Sequence, residues 1–259
     1  MRLKLNGITI YITESYEEMS KKTASIVLAQ VTIKPNSILG LATGGTPIGL
    51  YKEMVYGYKS NGVDFSQVKT FNLDEYFPIK KDNEQSYAYY MNEKLFNHIN
   101  ISSENIHIPN GENVNTKEEC ESYNEQIYSC GGIDLQVLGI GNNGHIGFNE
   151  PDVSFEARTH LVNLDQETIE ANARFFESEE EVPRQAISMG IGNIMHSRKI
   201  LLIASGKSKA NIISKTLFGD ISPNVPASIL QLHNDVTVVL DQEAAEEILQ
   251  REELQEYIR

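Results

Sequence analysis

The sequence has little positive charge, few cysteines and no long apolar run. Its 259 residues include 22 Lys and Arg against 36 Asp and Glu, which gives a net charge of −14. Nucleic acids and anionic membrane surfaces are bound through clustered positive charge, so neither is an expected partner. No apolar stretch approaches the roughly 20 residues that span a bilayer, and none follows the basic N-terminus as in a secretory signal.

Only two cysteines occur, Cys120 and Cys130, and they form no Cys-x-x-Cys pair. A zinc site or a disulfide framework is therefore not expected, and a reduced, cytoplasmic setting is the default. There is also no internal repeat, low-complexity tract or flexible linker. The length permits one large domain or two small ones, and the lack of a linker favours a single domain over residues 1–259.

The negative charge is concentrated in three segments. Residues 101–130, 177–181 and 241–259 carry −5, −4 and −5, so the other 205 residues are neutral on balance. A site for a small anionic substrate is expected in that neutral remainder.

Short apolar runs alternate along the chain with longer amphipathic segments. This alternation predicts a doubly wound, mainly parallel α/β sheet flanked by helices, which is a Rossmann-like fold. Capping boxes at Ser15-x-x-Glu18 and Thr116-x-x-Glu119 predict two helix starts, and Asp241 is predicted to cap a C-terminal helix. The predicted strands are 37–42, 68–73, 133–138, 186–189, 199–204 and 236–240, and further helices are predicted at 46–60, 87–97 and from about 207.

In such sheets ligands bind beyond the carboxyl ends of strands, and the loop Leu41-Ala-Thr-Gly-Gly-Thr-Pro47 lies at one of these ends. Backbone amides, a helix dipole and the hydroxyls of Thr43 and Thr46 predict an anion site there, with Gly44 and Gly45 allowing close approach. The loop has neither the Gly-Lys-Ser/Thr of a Walker A motif nor dinucleotide-loop spacing. A tight turn with nothing bound is the alternative.

A phosphate dianion in an acidic protein also needs a cation. Ser205-Gly-Lys-Ser-Lys209 offers Lys207 and Lys209 at another strand-to-helix junction, although each lysine is equally compatible with a solvated surface charge. Arg174, beside two phenylalanines, is a further candidate because a guanidinium grips phosphate with two hydrogen bonds.

Two loops carry groups suited to proton transfer. Asp74 and Glu75 follow the strand predicted at 68–73 and could include a general base, or could form a helix cap or salt-bridged turn. The glycine-rich stretch 139–151 contains Asn143, His145 and Glu150, and a histidine beside a carboxylate is an acid–base pair. A metal site is the weaker alternative, because one histidine and one acid make a poor ligand set.

These residues predict an enzyme that acts on a small phosphorylated metabolite by acid–base chemistry. A carboxylate base and a histidine, with no redox or metal cofactor expected, suit proton abstraction beside a carbonyl, as in sugar-phosphate isomerisation. No Gly-x-Ser-x-Gly elbow supports acyl transfer.

Taken together, the motifs resemble the glucosamine-6-phosphate deaminase family. They occur in order over nearly the whole chain, and the histidine block with its upstream Asp-Glu-Tyr is the specific part. The matching blocks are 41–47, Asn72-Leu-Asp-Glu-Tyr76, 141–151, Ala171-Asn-Ala-Arg-Phe-Phe176 and Gly206-Lys-Ser-Lys-Ala210.

The resemblance implies conversion of glucosamine 6-phosphate and water to fructose 6-phosphate and ammonia. It implies ring opening by His145, oriented by Glu150 and Asn143, and transfer of a proton from carbon 2 to carbon 1 by Asp74. Residues 43–46, Arg174 and Lys209 would hold the phosphate, and residues from about 152 to 185 would form a lid.

Two departures from the family pattern shape further expectations. Asn143 stands where some members have Asp. In hexameric members a basic pocket that binds an allosteric activator follows an Arg-Thr pair, whereas few basic residues follow Arg158-Thr159 here. A monomer or small homo-oligomer without such activation is therefore expected. A 6-phosphogluconolactonase, or a sugar-phosphate sensor without turnover, is the alternative function.

Overall fold

A twisted sheet of eight strands forms the centre of the protein, whose computed structural model describes residues 1–5, 7–173, 176 and 178–251. Its strands are β1 (Arg2–Leu5), β2 (Ile8–Thr13), β3 (Ile38–Leu41), β4 (Lys69–Asn72), β6 (Ile106–His107), β7 (Leu135–Leu138), β10 (Ile200–Ala204) and β11 (Val236–Asp241). The spatial order is β1-β2-β11-β10-β7-β3-β4-β6.

Every pairing in this sheet is parallel except that of β1 with β2. The chain winds outward from β3 to β4 and β6, and later from β7 through β10 to β11. The strand order therefore reverses between β3 and β7, which is the position where doubly wound sheets bind ligands. The prediction of a mainly parallel, doubly wound sheet is confirmed.

Helices cover both faces of the sheet. The helices are α1 (Tyr16–Ile33), α2 (Pro47–Asn61), α3 (Tyr87–Lys94), α4 (Thr116–Ser129), α5 (Gln166–Ala173), α6 (Ile191–Met195), α7 (Ala210–Phe218) and α8 (Glu246–Leu249). Met19, Leu50 and Met91 of the first three pack with Leu39 and Leu41 on one face. On the other face, α4, α6, α7 and α8 contribute residues to a second apolar cluster. No helix among the described residues could span a membrane.

A smaller antiparallel sheet, which the alternation did not predict, lies beside the main one. It is formed by β5 (Asp74–Phe77), β9 (Gln185–Ser188) and β8 (His160–Asn163), with β9 in the middle. The Leu73 amide donates to the Leu41 carbonyl in the large sheet, and its carbonyl accepts from the Met189 amide just after β9. Leu73 is thus the joint between the two sheets.

Several predicted boundaries were wrong for local reasons. The strand predicted at 68–73 ends at Asn72, because the chain turns at Leu73 into β5. Asn115, not Thr116, accepts a hydrogen bond from the amide of Glu118 and caps α4. The helix predicted at 87–97 ends at Lys94 and is followed by a 3-10 turn. Residues 252–259, towards the end of the predicted C-terminal helix, lie outside the described residues.

Asp241 does not cap a C-terminal helix directly. It ends β11, and the helical residues of α8 begin five positions later. Its carboxylate accepts hydrogen bonds from the amide of Ala244 and from Ser205 and Gly206 at the end of β10. A buried acid therefore stabilises the loop after β10 and the turn after β11 together.

Replacing Gly40 by Ala tests the closeness of β3 and β7. Gly40 lies opposite Gln136, and a β-carbon added to it would approach the Gln136 side-chain oxygen to 2.0 Å. Gln136 is fully buried and donates to the Val137 carbonyl, so it has little room to move. We expect Gly40→Ala to lower the free energy of unfolding by about 1–3 kcal/mol in urea.

The double variant Gly40→Ala, Gln136→Ala is the control for this contact. It should be more stable than the sum of the two single changes implies, because the second change removes the atoms that clash. Strict additivity would contradict the proposed clash.

Candidate functional site

A cavity of about 520 Å³ opens at the carboxyl ends of β3, β4, β7 and β10, a volume within the range of small-molecule sites. Four loops that are distant in sequence meet there. The polar lining comprises Tyr16, Thr43, Thr46, Asp74, Tyr87, Asn142, Asn143, His145, Thr168, Ser205, Ser208 and Lys209, together with the backbones of Gly44 and Gly45.

Three tyrosine hydroxyls orient the loop after β3. Tyr51 donates to the Ala42 carbonyl, Tyr90 donates to that of Gly44 at 2.7 Å, and Tyr16 donates to that of Thr46 at 3.1 Å. Among the described residues, none accepts a hydrogen bond from the amides of 43–46. The carbonyls of Ala42, Gly44 and Thr46 thus accept hydrogen bonds from the protein, whereas the amides of residues 43–46 remain available beside the cavity. Free amides of this kind at a helix N-terminus are typical of an anion site.

The loop after β10 faces this one across the cavity. Gly206 has a φ of +89°, a conformation that favours glycine, and it precedes a 3-10 turn at Lys207–Lys209. Lys209 lines the cavity and donates to the Asn142 side chain at 2.7 Å. Lys207, the other predicted cation, is instead exposed and ion-paired with Glu246 at 3.1 Å. Arg174 lies outside the described residues.

Asp74 lies at the start of β5, where the chain leaves the large sheet, rather than in a loop as predicted. Its side chain is 6% exposed yet lines the cavity. Burial raises the pKa of Asp74 to about 8, and the adjacent charge of Glu75 adds to the rise. Among the described residues, none donates a hydrogen bond to its carboxylate. This carboxyl can therefore exchange a proton near neutral pH.

Glu75 points away from the cavity and serves as a helix cap, one of the alternatives left open by the sequence. Its oxygens accept hydrogen bonds from the amides of Tyr87 and Ala88 at 2.8 and 2.9 Å, at the start of α3. Burial raises the pKa of Glu75 to about 7, although these amides and that of Tyr76 oppose the rise. The helix that carries Tyr90 is thereby tied to the strand that carries Asp74.

The glycines after β7 make room for His145. A β-carbon on Gly141 would approach the His145 ring to 2.3 Å, so only glycine allows the imidazole to lie across this backbone. Gly144 and Gly147 have positive φ values of +93° and +58°. The Asn149 side chain donates to the carbonyls of Ile146 and Met189, which fixes the end of the loop. The loop is held by backbone hydrogen bonds and close packing.

Glu150 lies behind His145 and does not line the cavity. Its Oε2 is 3.0 Å from His145 Nδ1 and accepts from Asn143 Nδ2 at 2.8 Å. Because a carboxylate oxygen accepts, Nδ1 carries the proton. Burial acts to raise the pKa of Glu150, but the hydrogen bonds from His145, Thr168 and Asn143 outweigh it and hold that pKa below its ordinary value.

Asn143 makes hydrogen bonds to both His145 and Glu150. Its Oδ1 accepts from the His145 amide at 3.1 Å while its Nδ2 donates to Glu150. An ionised Asp at this position would have no proton to donate to Glu150. The amide therefore suits a site with one carboxylate on the histidine.

Of the predicted site residues that it describes, the structure brings residues 43–46, Asp74, Asn143, His145 and Lys209 to one cavity, with Glu150 one layer behind it. Lys207 and Glu75 do not line this cavity. Sequence reasoning missed Thr168, Ser208 and the three tyrosines, which lie in unremarkable helical or turn positions. Ser205 and Ser208 did fall inside a segment singled out for its lysines. In the described part of the chain, no group of three or more His, Cys, Asp or Glu is placed to hold a metal ion.

The arrangement combines an anion site with two proton-transfer groups. The loop after β3 and Lys209 suit a phosphate, whereas Asp74 and His145 reach the same cavity from β5 and from the loop after β7. The chemistry available is proton transfer at a carbon and at an oxygen of a phosphorylated substrate.

Comparison with known proteins gives consistent results. The family model described as glucosamine-6-phosphate isomerases/6-phosphogluconolactonase matches residues 13–239. A glucosamine-6-phosphate deaminase of Clostridium botulinum (strain Langeland) is 59% identical over 239 residues, which is 92% of this chain and 98% of that protein. A deaminase of Clostridium novyi is 58% identical over 235 residues, covering 91% of this chain and 98% of its own.

Solved structures agree with the sequence relatives. A monomeric glucosamine-6-phosphate deaminase is 46% identical with a TM-score of 0.90, and the match covers 92% of this chain and 99% of the other. The 6-phosphogluconolactonase of Thermotoga maritima is 19% identical with a TM-score of 0.73, covering 90% and 99%. At that identity the likeness to the lactonase concerns the fold alone.

Asp74→Asn is expected to stabilise the fold at alkaline pH. Since folding raises the pKa of Asp74, the stability linked to its protonated form is fully present below the ordinary pKa of 3.8 and is lost as pH rises through about 8. An amide avoids this loss. Urea unfolding should show the advantage of the variant growing to on the order of 1–5 kcal/mol at pH 9, at ~1.4 kcal/mol per pKa unit.

The exposed Asp82 supplies the control for this measurement, since Asp82→Asn removes a carboxyl outside the site. Its effect on stability should stay small at every pH. An Asp74→Asn advantage that does not change between about pH 4 and 9 would show that Asp74 titrates normally.

Tyr90→Phe is expected to weaken anion binding. The change removes the hydroxyl that satisfies the Gly44 carbonyl, so the loop loses a restraint on its amides. Calorimetric titration with inorganic phosphate should give a Kd raised about 3-fold to 10-fold, the usual effect of one hydrogen bond. Tyr56→Phe on the exposed side of α2 is the matched control. Equal phosphate affinity in both variants would refute the role of the tyrosine.

Proposed function

Because the chain belongs to the glucosamine-6-phosphate isomerase/6-phosphogluconolactonase family, we propose that it converts glucosamine 6-phosphate and water to fructose 6-phosphate and ammonia. The observation that carries this proposal is the placement of Asp74 in the same cavity as His145 and the anion-binding loop. The deaminases that are 58–59% identical over nearly their whole length support the same activity.

The phosphate of the substrate occupies the loop after β3. The amides and hydroxyls of residues 43–46 donate to its oxygens, and Lys209 supplies charge from the opposite loop. Arg174, which the family resemblance assigns to the same phosphate, completes this proposed set. Fixing the phosphate places the sugar carbons between Asp74 and His145, so that proximity supplies part of the acceleration.

Ring opening is the proposed task of His145. With Nδ1–H donating to Glu150, Nε2 is the nitrogen left to act as a base. It takes the proton of the anomeric hydroxyl and returns it to the ring oxygen as the bond between carbon 1 and that oxygen breaks. Glu150 stabilises the imidazolium that forms in between, and Asn143 keeps the ring in position.

Isomerisation is the proposed task of Asp74. In its ionised form it removes the proton from carbon 2 of the open-chain aldehyde and delivers it to carbon 1. In the same step the amino nitrogen loses one proton and the oxygen on carbon 1 gains one, so that carbon 2 becomes an imine carbon and carbon 1 a primary alcohol. Water adds to this imine, and ammonia leaves as the ketone of fructose 6-phosphate forms. A buried carboxyl with a pKa of about 8 is a stronger base than an exposed one, which suits abstraction of a carbon-bound proton.

This use of Asp74 distinguishes the proposal from a lactonase. Hydrolysis of a 6-phosphogluconolactone needs an activated water but no base at carbon 2. The solved lactonases share the fold at 16–19% identity, so they do not favour their activity for this chain.

We further propose that the chain acts as one domain and as a monomer, with residues from about 152 to 185 as a lid over the sugar. Thr168 of α5 lines the cavity, and the 46% identical deaminase is monomeric. The pocket near Arg158, Thr159 and His160 offers few cations beyond Lys117 and Arg158, which is consistent with the expected lack of an allosteric activator.

Incubation with glucosamine 6-phosphate tests the proposed function. Wild type should release ammonia and fructose 6-phosphate in equal amounts, and Asp74→Asn should be slower by roughly 10²-fold to 10⁴-fold. Because the base must be ionised, kcat/KM of wild type should rise with pH through about 8. The exposed control Asp82→Asn should behave as wild type.

A parallel assay with 6-phosphogluconolactone separates the two activities of the family. Hydrolysis of the lactone without ammonia release from the amino sugar would favour a lactonase. Binding of glucosamine 6-phosphate without any product would favour a sensor. Undiminished ammonia release from Asp74→Asn would remove Asp74 from the mechanism.

A further inference from the structure

Glu150 is bound from two sides by two different parts of the chain. Its Oε2 faces His145 and Asn143, which belong to the same glycine-rich loop. Its Oε1 accepts a hydrogen bond from Thr168 Oγ1 at 2.5 Å. Thr168 belongs to α5, 18 residues further along the chain and inside the proposed lid. This contact is the direct link between the lid and the acid–base pair.

Thr168 is held in a defined position. Its side chain is 4% exposed, and the following Ile169 packs with Tyr76 and Phe148 in the apolar cluster of the small sheet. Phe148 lies between His145 and Glu150 in sequence, and its ring centroid is 6.5 Å from that of His145. The helix and the glycine-rich loop therefore rest on the same apolar cluster, which limits how far the hydroxyl can move from the carboxylate.

The hydroxyl has a specific effect on the carboxylate. A glutamate carboxyl can rotate about its last torsion, and rotation would turn Oε2 away from the histidine. A donor on Oε1 opposes this rotation, because the two oxygens are then bound in opposite directions. Hydrogen bonds to the ionised form also favour that form, so the donor helps Glu150 remain negative beside the imidazole.

We infer that Thr168 is a positioning residue for the reaction, which holds Oε1 of Glu150 so that Oε2 stays on Nδ1 of His145. This inference rests on the proposed function. Thr168 acts through Glu150 and His145, and its methyl group and hydroxyl have separable effects. Valine keeps the shape of the side chain and removes only the donor, whereas serine keeps the donor.

The kinetic test compares Thr168→Val with Thr168→Ser. In the valine variant we expect kcat for ammonia release to fall roughly 10-fold or more, as for other lost orienting hydrogen bonds, with KM changed much less. The fall in activity through about pH 8 that belongs to Asp74 should be unchanged, whereas the further fall at lower pH should begin at higher pH than in wild type, because Glu150 takes up a proton more readily without its donor. The serine variant should recover most of kcat and the wild-type pH profile.

Thr23→Val is the matched control. Thr23 is a buried threonine of α1 that does not line the cavity, and its hydroxyl donates to the Met19 carbonyl of the same helix. The change carries a similar packing and hydrogen-bond cost, so it should lower stability without moving kcat or the pH profile. An unchanged kcat and pH profile in Thr168→Val, or an equal loss in Thr168→Ser, would overturn the inference.

A second measurement does not depend on turnover. The Nδ1–H proton and ring nitrogens of His145 report the hydrogen bond to Glu150 by NMR, and their chemical shifts should move in Thr168→Val but not in Thr168→Ser. If wild type releases no ammonia, the proposed function fails while this spectroscopic comparison still decides the inference. Identical His145 shifts in wild type and Thr168→Val would overturn it.

Discussion

The parallel pairing of β3 with β7 is the constraint on which the site depends. Gly40 lies opposite Gln136 in this pairing, and the absence of a side chain on Gly40 leaves room for the buried amide across the interface. Because the two strands are neighbours and run in the same direction, the loops that follow them meet at one edge. One loop presents backbone amides to the cavity, where we propose that an anion binds, and the other presents His145. Neither loop could form half of a site if the strands were separated.

Around β3 and β7, the neutral groups and the ionisable groups of the site lie on different elements. The anion-binding loop is prepared largely by neutral groups, since tyrosine hydroxyls satisfy its carbonyls and leave its amides available. The ionisable groups that we propose to move protons lie on other elements, in β5 and after β7. The proposed phosphate site is compatible with an acidic protein, because none of the described residues that line the cavity belongs to the acidic segments at 101–130, 177–181 and 241–259.

The residues that sequence analysis located are those whose type is unusual for their place. A histidine among four glycines, two adjacent acids after a buried strand and a Thr-Gly-Gly-Thr turn all differ from ordinary packing residues, and the parallel sheet followed from simple alternation. Of the small sheet only β9 was predicted, as a strand at 186–189, and the sheet itself escaped prediction because its antiparallel strands are far apart in sequence. Thr168 and the tyrosines escaped because a hydroxyl in a helix has no sequence signature until the fold shows which carboxylate or carbonyl it meets. The sequence could not distinguish the roles of Asp74 and Glu75. The fold does so, because the amides of Tyr87 and Ala88 at the start of α3 donate hydrogen bonds to Glu75.

The joint at Leu73 has a consequence for how such enzymes diversify. Leu73 connects the two sheets through its backbone amide and carbonyl, so the position of Asp74 next to it depends little on which side chains fill the small sheet. Mutations in β8, β9 and the helix between them, Thr168 excepted, can therefore accumulate without displacing Asp74. A lineage could exchange the residues proposed to cover the sugar, and with them the range of sugars accepted, while the proposed base stays in place.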